Sequence, residues 1–132
     1  MPLHQIEHFL VLSDDMDGTR DWYERALGLA AGERPPLPFS GHWLYADGVP
    51  VVHVADRAEY VAHASRLGLE TSDGTGVVDH IAFGGSDYEA IKSGLEGGGV
   101  PFVENEIPGV MRQLFVLDPN GVRIEINLRV DG

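Results

Sequence analysis

Four side chains of this 132-residue sequence combine metal-binding chemistry with a common spacing. The separation in sequence between His8 and His80 is identical to the separation between His53 and Glu125. Imidazole nitrogen and carboxylate oxygen are suitable donors for iron, zinc, nickel, cobalt or manganese. The pattern therefore predicts a divalent metal as cofactor, with these four residues as its candidate ligands.

Each candidate also has a structural interpretation. A single histidine in a strand is more often a hydrogen-bonded structural residue than a ligand. Glu125 lies between Ile124 and Ile126, where a buried carboxylate is costly without a partner. An ion pair would satisfy it as well as a metal, and the arginines that could supply one are Arg112, Arg123 and Arg129. The shared spacing argues against four independent coincidences.

The composition excludes several other functions. Nine basic residues against twenty-one acidic ones give a net charge of −12, and the basic residues are scattered along the chain. Nucleic acids and anionic membranes are therefore poor partners. The absence of cysteine excludes disulfides, thiolate metal sites and a cysteine nucleophile.

The apolar segments are too short to span a membrane. The amino terminus, MPLHQIEHFLVL, shows neither a basic region nor a small-residue cleavage site. We therefore expect a cytoplasmic location.

The elements that position the four residues form an internal repeat. The segment HFLVLS from His8 recurs as HIAFGG from His80, and each is a predicted strand followed by a helical pattern. The first helix is predicted over residues 19–27 and ends at Gly28. The second is predicted to begin at Ser86, with Glu89 completing a capping box.

Each copy ends in a hairpin pattern, with Asp47-Gly48 in the first turn and Asn120-Gly121 in the second. The order strand, helix, then two or three strands predicts a βαβββ unit and an α+β fold. We expect one domain over residues 1–132, with modules at 5–55 and 77–129 and a partly helical linker at 56–76. Residues 33–41 and 104–109 are predicted loops.

Strand alternation places the polar candidates on one face. His53 lies opposite Val52 and Val54, and Glu125 lies opposite its isoleucine neighbours. If the first and last strands of each module are neighbours, His8 and His53 converge in one module, and His80 and Glu125 converge in the other.

The openings HFLVLS and HIAF, the helix end WYERALGL and the ending RQLFVLDPNGVRIEINL resemble the vicinal oxygen chelate superfamily, which includes glyoxalases, extradiol dioxygenases and bleomycin-resistance proteins. The resemblance covers Ile6 to Leu128. It implies paired βαβββ modules that form a U-shaped, incompletely closed barrel with a divalent metal inside. Small members are commonly dimers, so a homodimer is expected.

By this resemblance His8, His80 and Glu125 match the widely shared ligands. His53 matches a fourth ligand position that in the glyoxalase and epimerase branches is often Glu or Gln, where a carboxylate also acts as base. Glu125 and His53 are thus the catalytic candidates, and His53 would act as a base only when neutral and displaced from the metal.

Two classes of function remain open. The first is a metal-dependent isomerase, lyase or ring-cleaving dioxygenase, in which a small-molecule substrate chelates the metal through two adjacent oxygens. The second is a metal-free protein that sequesters a drug or metabolite, as in the bleomycin-resistance branch. Further side chains are candidates for substrate contact or for the cavity wall: Arg112, Gln113, Trp43, Tyr45, Phe102 and Phe115.

Overall fold

The computed structural model describes residues 5–130, so the ends of the predicted single domain, residues 1–4 and 131–132, lie outside the described residues. The elements in chain order are β1 (Phe9–Ser13), α1 (Met16–Leu27), β2 (Ala30–Gly32), β3 (Gly41–Ala46), β4 (Val49–Asp56), α2 (Arg57–Arg66), β5 (Ile81–Gly85), α3 (Tyr88–Gly97), β6 (Val103–Ile107), β7 (Met111–Leu117) and β8 (Arg123–Arg129).

The strands form two four-stranded sheets with the same topology. Their orders are β1-β4-β3-β2 and β5-β8-β7-β6. In each sheet the first and last strands of the module pair in parallel, and the other neighbours are antiparallel. The chain divides into two compact units, residues 5–24 with 28–71 and residues 25–27 with 72–130. The predicted α+β fold of two βαβββ modules is confirmed.

The internal repeat extends through the central strand pairings. Each pair between β1 and β4 has a counterpart between β5 and β8 at the same offset in sequence, and the agreement continues between β3 and β4 as far as Leu44. Examples are Phe9↔Val52 with Ile81↔Ile124, Leu10↔His53 with Ala82↔Glu125, Trp43↔His53 with Phe115↔Glu125, and Leu44↔Val52 with Val116↔Ile124. His53 and Glu125 therefore occupy equivalent places in the two sheets.

The helix boundaries differ from the sequence prediction at their amino ends. Helix α1 begins at Met16, earlier than predicted, because the Asp15 side chain accepts a hydrogen bond from the Gly18 amide. It ends as predicted at Gly28, whose φ of 72° is left-handed. The prediction that Ser86 caps α3 is wrong, since Asp87 accepts from the Ala90 amide instead.

One connecting segment also differs from the sequence prediction. Residues 104–107, predicted as loop, lie in β6, where they add the outer strand of the second sheet. The predicted Asp47-Gly48 turn is confirmed, with φ of 51° and 79° at its two residues. The helical part of the linker is also confirmed as α2, which Asp56 caps by accepting from the Glu59 amide.

Helix α3 is held to its own sheet by a polar cluster. The Tyr88 hydroxyl donates to a Glu104 carboxylate oxygen, and the Lys92 Nζ lies 3.0 Å from the same oxygen. The Arg112 guanidinium lies over the Tyr88 ring at 3.5 Å. These contacts link α3 to β6 and β7. The Tyr88 hydrogen bond, followed by that of Lys92, lowers the pKa of Glu104.

One face of each sheet is apolar and buried. Leu44 and Val52 are fully buried in the first unit, as is Ile124 in the second, where Val116 is only 3% exposed. The opposite face carries His53 and Glu125. No helix within residues 5–130 has both the length and the apolar character needed to cross a membrane.

Leu44→Ala is expected to lower the free energy of unfolding by about 2–5 kcal/mol, because it leaves a cavity beside Val52 in a closed core. The matched control is Val49→Ala on the same hairpin, where the side chain is 48% exposed and the expected change is below about 1 kcal/mol. Urea denaturation measures both. Equal losses would contradict the assignment of this face as the core.

Glu104→Gln is expected to reduce the acid sensitivity of folding. Because the pKa of Glu104 is lowered in the folded state, its stabilising contribution is present above the unfolded pKa of 4.5 and is lost as the pH falls through the folded value. The variant should be less stable at neutral pH and should lose less stability on acidification. Thermal melting from pH 7 to pH 3 tests this, with Glu106→Gln in the same strand as control. A parallel pH profile for Glu104→Gln and the wild type would refute it.

Candidate functional site

The first unit brings His8 and His53 together in a ladder of stacked rings. The two imidazole centroids are 3.7 Å apart with an interplanar angle of 10°. The Trp43 ring stacks on the His53 ring at 4.2 Å and 13°. Trp43 and His53 are cross-strand partners in β3 and β4, and His8 immediately precedes β1. The parallel pairing of β1 with β4 therefore builds this ladder, as predicted for neighbouring first and last strands.

Hydrogen bonds select the ring nitrogen that each histidine can offer. His53 Nε2 lies 3.2 Å from the Pro50 carbonyl oxygen, which can only accept, so Nε2 carries the proton and Nδ1 the lone pair. His8 Nδ1 lies 3.0 Å from Glu7 Oε1, and an ionised carboxylate only accepts, so this nitrogen carries a proton. Burial, followed by the charge of His8, lowers the pKa of His53. His53 is therefore neutral at physiological pH.

The stacking limits how this pair can bind a metal. A histidine lone pair lies in the plane of its ring, and a metal sits in that plane at about 2.0–2.1 Å from the nitrogen. Two nearly parallel rings 3.7 Å apart have no such point in common. In this orientation only one of the two imidazoles can bind a given metal ion. Binding of the same ion by both histidines would require one ring to rotate.

The second unit brings His80 and Glu125 together. His80 Nε2 lies 3.7 Å from Glu125 Oε1, and the Glu125 side chain is only 14% exposed. Two donors about 2.0–2.2 Å from one ion can span this distance, so the pair fits a shared metal. His80 and Glu125 were both predicted ligands, and the parallel pairing of β5 with β8 places them side by side.

Asp79, which the sequence did not indicate as a site residue, contacts the His80 ring nitrogen that faces away from Glu125. His80 Nδ1 lies 2.9 Å from Asp79 Oδ2, and Arg123 Nη1 lies 3.2 and 3.3 Å from the two Asp79 carboxylate oxygens. The His80 hydrogen bond, followed by the charge of Arg123, lowers the pKa of Asp79. The sequence contains a signal for Asp79, because Glu7 and Asp79 have the same separation as His8 and His80.

A chain of side-chain amides supports Glu125 from the same face of the sheet. Asn127 Nδ2 donates to Glu125 Oε2 at 3.0 Å, and Gln113 Nε2 donates to Asn127 Oδ1 at 3.1 Å. Asn105 Nδ2 then donates to Gln113 Oε1 at 2.7 Å. Gln113, a predicted substrate contact, is only 8% exposed and lies within this chain. Its amide therefore helps to fix the orientation of the carboxylate.

The arginines considered as partners for Glu125 mostly contact other acids. Arg123 pairs with Asp79, and Arg112 lies 3.6 Å from Glu89. Within residues 5–130 no hydrogen bond or salt bridge joins an arginine to Glu125. Its partners there are His80 and Asn127, neither of which carries a permanent positive charge.

The predicted ligands thus occur as two pairs, one in each unit. Within the described part of the chain, no group of three or more His, Asp or Glu side chains is arranged to hold a metal ion. Of the predicted cavity-lining aromatics, Trp43 and Tyr45 border a cleft of about 510 Å³ in the first unit, together with Glu33, Arg34 and Pro35. Phe115 is the cross-strand partner of Glu125, and Phe102 is half-buried just before β6.

The model of one protein family matches residues 5–126, nearly the whole chain, and its description is the Glyoxalase/Bleomycin resistance protein/Dioxygenase superfamily. The chain belongs to this superfamily. The resemblance seen in the sequence is thereby confirmed. No curated protein sequence matches the chain.

Several solved structures share the fold of this chain. A putative glyoxalase family protein from Bacillus anthracis aligns with a TM-score of 0.73 at 18% identity, covering 96% of both chains. A lactoylglutathione lyase from Agrobacterium tumefaciens aligns at 0.68 and 16% identity, covering 97% of this chain and 96% of its own. An antibiotic-binding protein from a Streptomyces species aligns at 0.67 and 18%, covering 98% of both. The fold thus occurs in both an enzyme and a binding protein.

Gln113→Leu is expected to lower the free energy of unfolding by about 1–2 kcal/mol, because it removes two side-chain hydrogen bonds, one from Asn105 Nδ2 and one to the half-buried Asn127 Oδ1. The matched control is Gln5→Leu at an exposed position, with an expected change within about 0.5 kcal/mol. Chemical denaturation measures both. A loss no larger than that of the control would show that the amide chain contributes nothing to folding.

Proposed function

We propose that this protein is a divalent-metal-dependent enzyme that binds a small substrate through two adjacent oxygens. The proposed ligands are His80 and Glu125 with imidazole from His8 or His53. The observation that carries the proposal is the His80–Glu125 pair, in which Nε2 lies 3.7 Å from Oε1 and neither residue contacts an arginine among residues 5–130. A largely buried carboxylate facing an imidazole lone pair is suited to share a cation.

The donor set favours metals that accept nitrogen and oxygen ligands. Two imidazoles and one carboxylate suit iron, and additional imidazole suits zinc, nickel or cobalt, with manganese also compatible. A bound metal would act as a Lewis acid that stabilises an enolate or catecholate of the substrate. His8 and His53 remain proposed ligands because of the sequence repeat, and their stacking allows only one of the two imidazoles to bind a given ion.

The imidazole of this pair that does not bind the metal is the proposed base, and the environment of His53 suits that role. His53 is neutral, and its Nδ1 carries a lone pair while Nε2 is engaged by Pro50. A neutral imidazole near physiological pH is an effective general base. Its stacked neighbour Trp43 borders the 510 Å³ cleft. We therefore favour proton transfer, as in an isomerase or lyase, over ring cleavage, and we retain Glu125 as the second catalytic candidate.

A metal-free binding protein is the second candidate function, and the ring ladder favours it. The stacked rings of His8, His53 and Trp43 end at the cleft that Trp43 and Tyr45 border. An aromatic surface of this kind is suited to a planar ligand, because ring stacking adds about 0.5–1.5 kcal/mol beyond the buried area. Sequestration of a drug or metabolite would need no metal.

Metal analysis separates the two functions. Protein purified without chelator and in the absence of oxygen is expected to contain about one equivalent of a divalent metal, or to take it up on reconstitution. Glu125→Gln is expected to lose this metal, because the amide is a weaker ligand than the carboxylate. The matched control is Glu96→Gln on the exposed side of α3, which should retain it. Elemental analysis is the measurement.

The outcomes lead to different assays. If the wild type contains iron, catechol cleavage is the activity to assay. If it contains zinc, nickel or cobalt, the activity is assayed with glyoxalase and epimerase substrates. If the wild type takes up no metal on reconstitution, and a chelator leaves its melting temperature unchanged, the enzyme proposal fails and the binding-protein function replaces it.

A further inference from the structure

The internal repeat includes an acidic residue before each strand-opening histidine. Glu7 precedes His8, and Asp79 precedes His80. In both units the carboxylate contacts the Nδ1 atom of the following imidazole, at 3.0 Å in the first and 2.9 Å in the second. The same contact therefore occurs twice at equivalent positions of the repeat.

The two carboxylates differ in their other contacts. Asp79 is held from its other side by Arg123 Nη1, which lies within 3.3 Å of both carboxylate oxygens. Glu7 has an 84% exposed side chain, and no lysine or arginine among residues 5–130 pairs with it. The Asp79 carboxylate is therefore fixed between two groups, whereas the Glu7 carboxylate is fixed by one.

The hydrogen bond from His80 to Asp79 has a consequence for the opposite ring nitrogen. An ionised carboxylate only accepts, so the proton of a neutral His80 must reside on Nδ1. The lone pair then lies on Nε2, the atom 3.7 Å from Glu125 Oε1. The same bond restricts rotation of the ring about χ2. Arg123, at the start of β8, anchors this arrangement to the strand that carries Glu125.

We propose that Asp79, fixed by Arg123, is a positioning residue that holds His80 in the Nδ1–H tautomer and keeps its Nε2 facing Glu125. The metal-binding consequence of this inference rests on the proposed function. The tautomer itself does not, because it is a property of the metal-free protein. A carboxylate behind a ligating imidazole fixes the ring orientation and raises ligand basicity, and its loss typically costs about 10–100-fold in metal affinity.

The first measurement is the ring nitrogen chemical shifts of ¹⁵N-histidine-labelled, metal-free protein at about pH 8, where an unperturbed imidazole is neutral. His80→Gln identifies the His80 signals. We expect the wild type to show the Nδ1–H tautomer at His80. Asp79→Ala should shift the population towards Nε2–H, Arg123→Gln should shift it partly, and Asp79→Glu should restore much of the wild-type signal.

The second measurement is the dissociation constant for Co²⁺, obtained by calorimetric titration of the same proteins. We expect Asp79→Ala to weaken binding at least about tenfold and Asp79→Glu to recover part of the loss. Glu7→Ala is the matched control, because it removes the equivalent carboxylate of the first unit. It should leave the His80 signals unchanged and weaken Co²⁺ binding less than Asp79→Ala does.

The outcomes of the two measurements are distinguishable. If His80 keeps the Nδ1–H tautomer in Asp79→Ala, the positioning role is refuted whatever the metal result. A shifted tautomer with unchanged Co²⁺ affinity would refute the role of Asp79 in metal binding. If the wild type binds no Co²⁺, the proposed function fails, while the tautomer measurement still decides whether Asp79 positions His80.

Discussion

The parallel pairing of the first and last strands of each module is the constraint on which the rest of the site depends. Parallel strands in register place side chains of matching parity on one face. The pairing Leu10↔His53 therefore brings His8 to the same face as His53, and Ala82↔Glu125 does the same for His80 and Glu125. Two residues far apart in the sequence thus become neighbours in each unit, one immediately before the first strand and the other within the last strand.

The same pairing separates the chemistry from the core. Residues of the opposite parity, such as Val52 in β4 and Ile124 in β8, are fully buried on the apolar face of their sheets. A shift of either strand by one residue would bury the histidine or the carboxylate and expose the core residues. The hydrophobic pattern that stabilises each sheet therefore also determines which face carries His53 and Glu125.

Each unit satisfies its polar residues in a different way. In the first unit the two imidazoles stack on each other, His53 also stacks on Trp43, and burial lowers the pKa of His53. In the second unit the Glu125 carboxylate is held by Asn127 on one oxygen and faces His80 with the other. The two copies of the module thus share the positions, while the chemistry of the residue in the last strand differs between imidazole and carboxylate.

The sequence by itself determined the internal repeat, the element order of the two βαβββ modules and the strand face that carries His53 and Glu125, because strand alternation and turn residues are local properties. It indicated the pairs His8–His53 and His80–Glu125 only on the condition that the first and last strands of a module pair, a pairing that the structure supplied. It misplaced the cap of α3 and treated β6 as a loop, since Asp87 and Ser86 both cap well and an exposed outer strand lacks an apolar pattern. Only the tertiary structure decided the ring stacking, the amide chain behind Glu125 and the support of Asp79 by Arg123. These depend on rotamers and on contacts between strands, and neither is encoded in the spacing of residues along one strand.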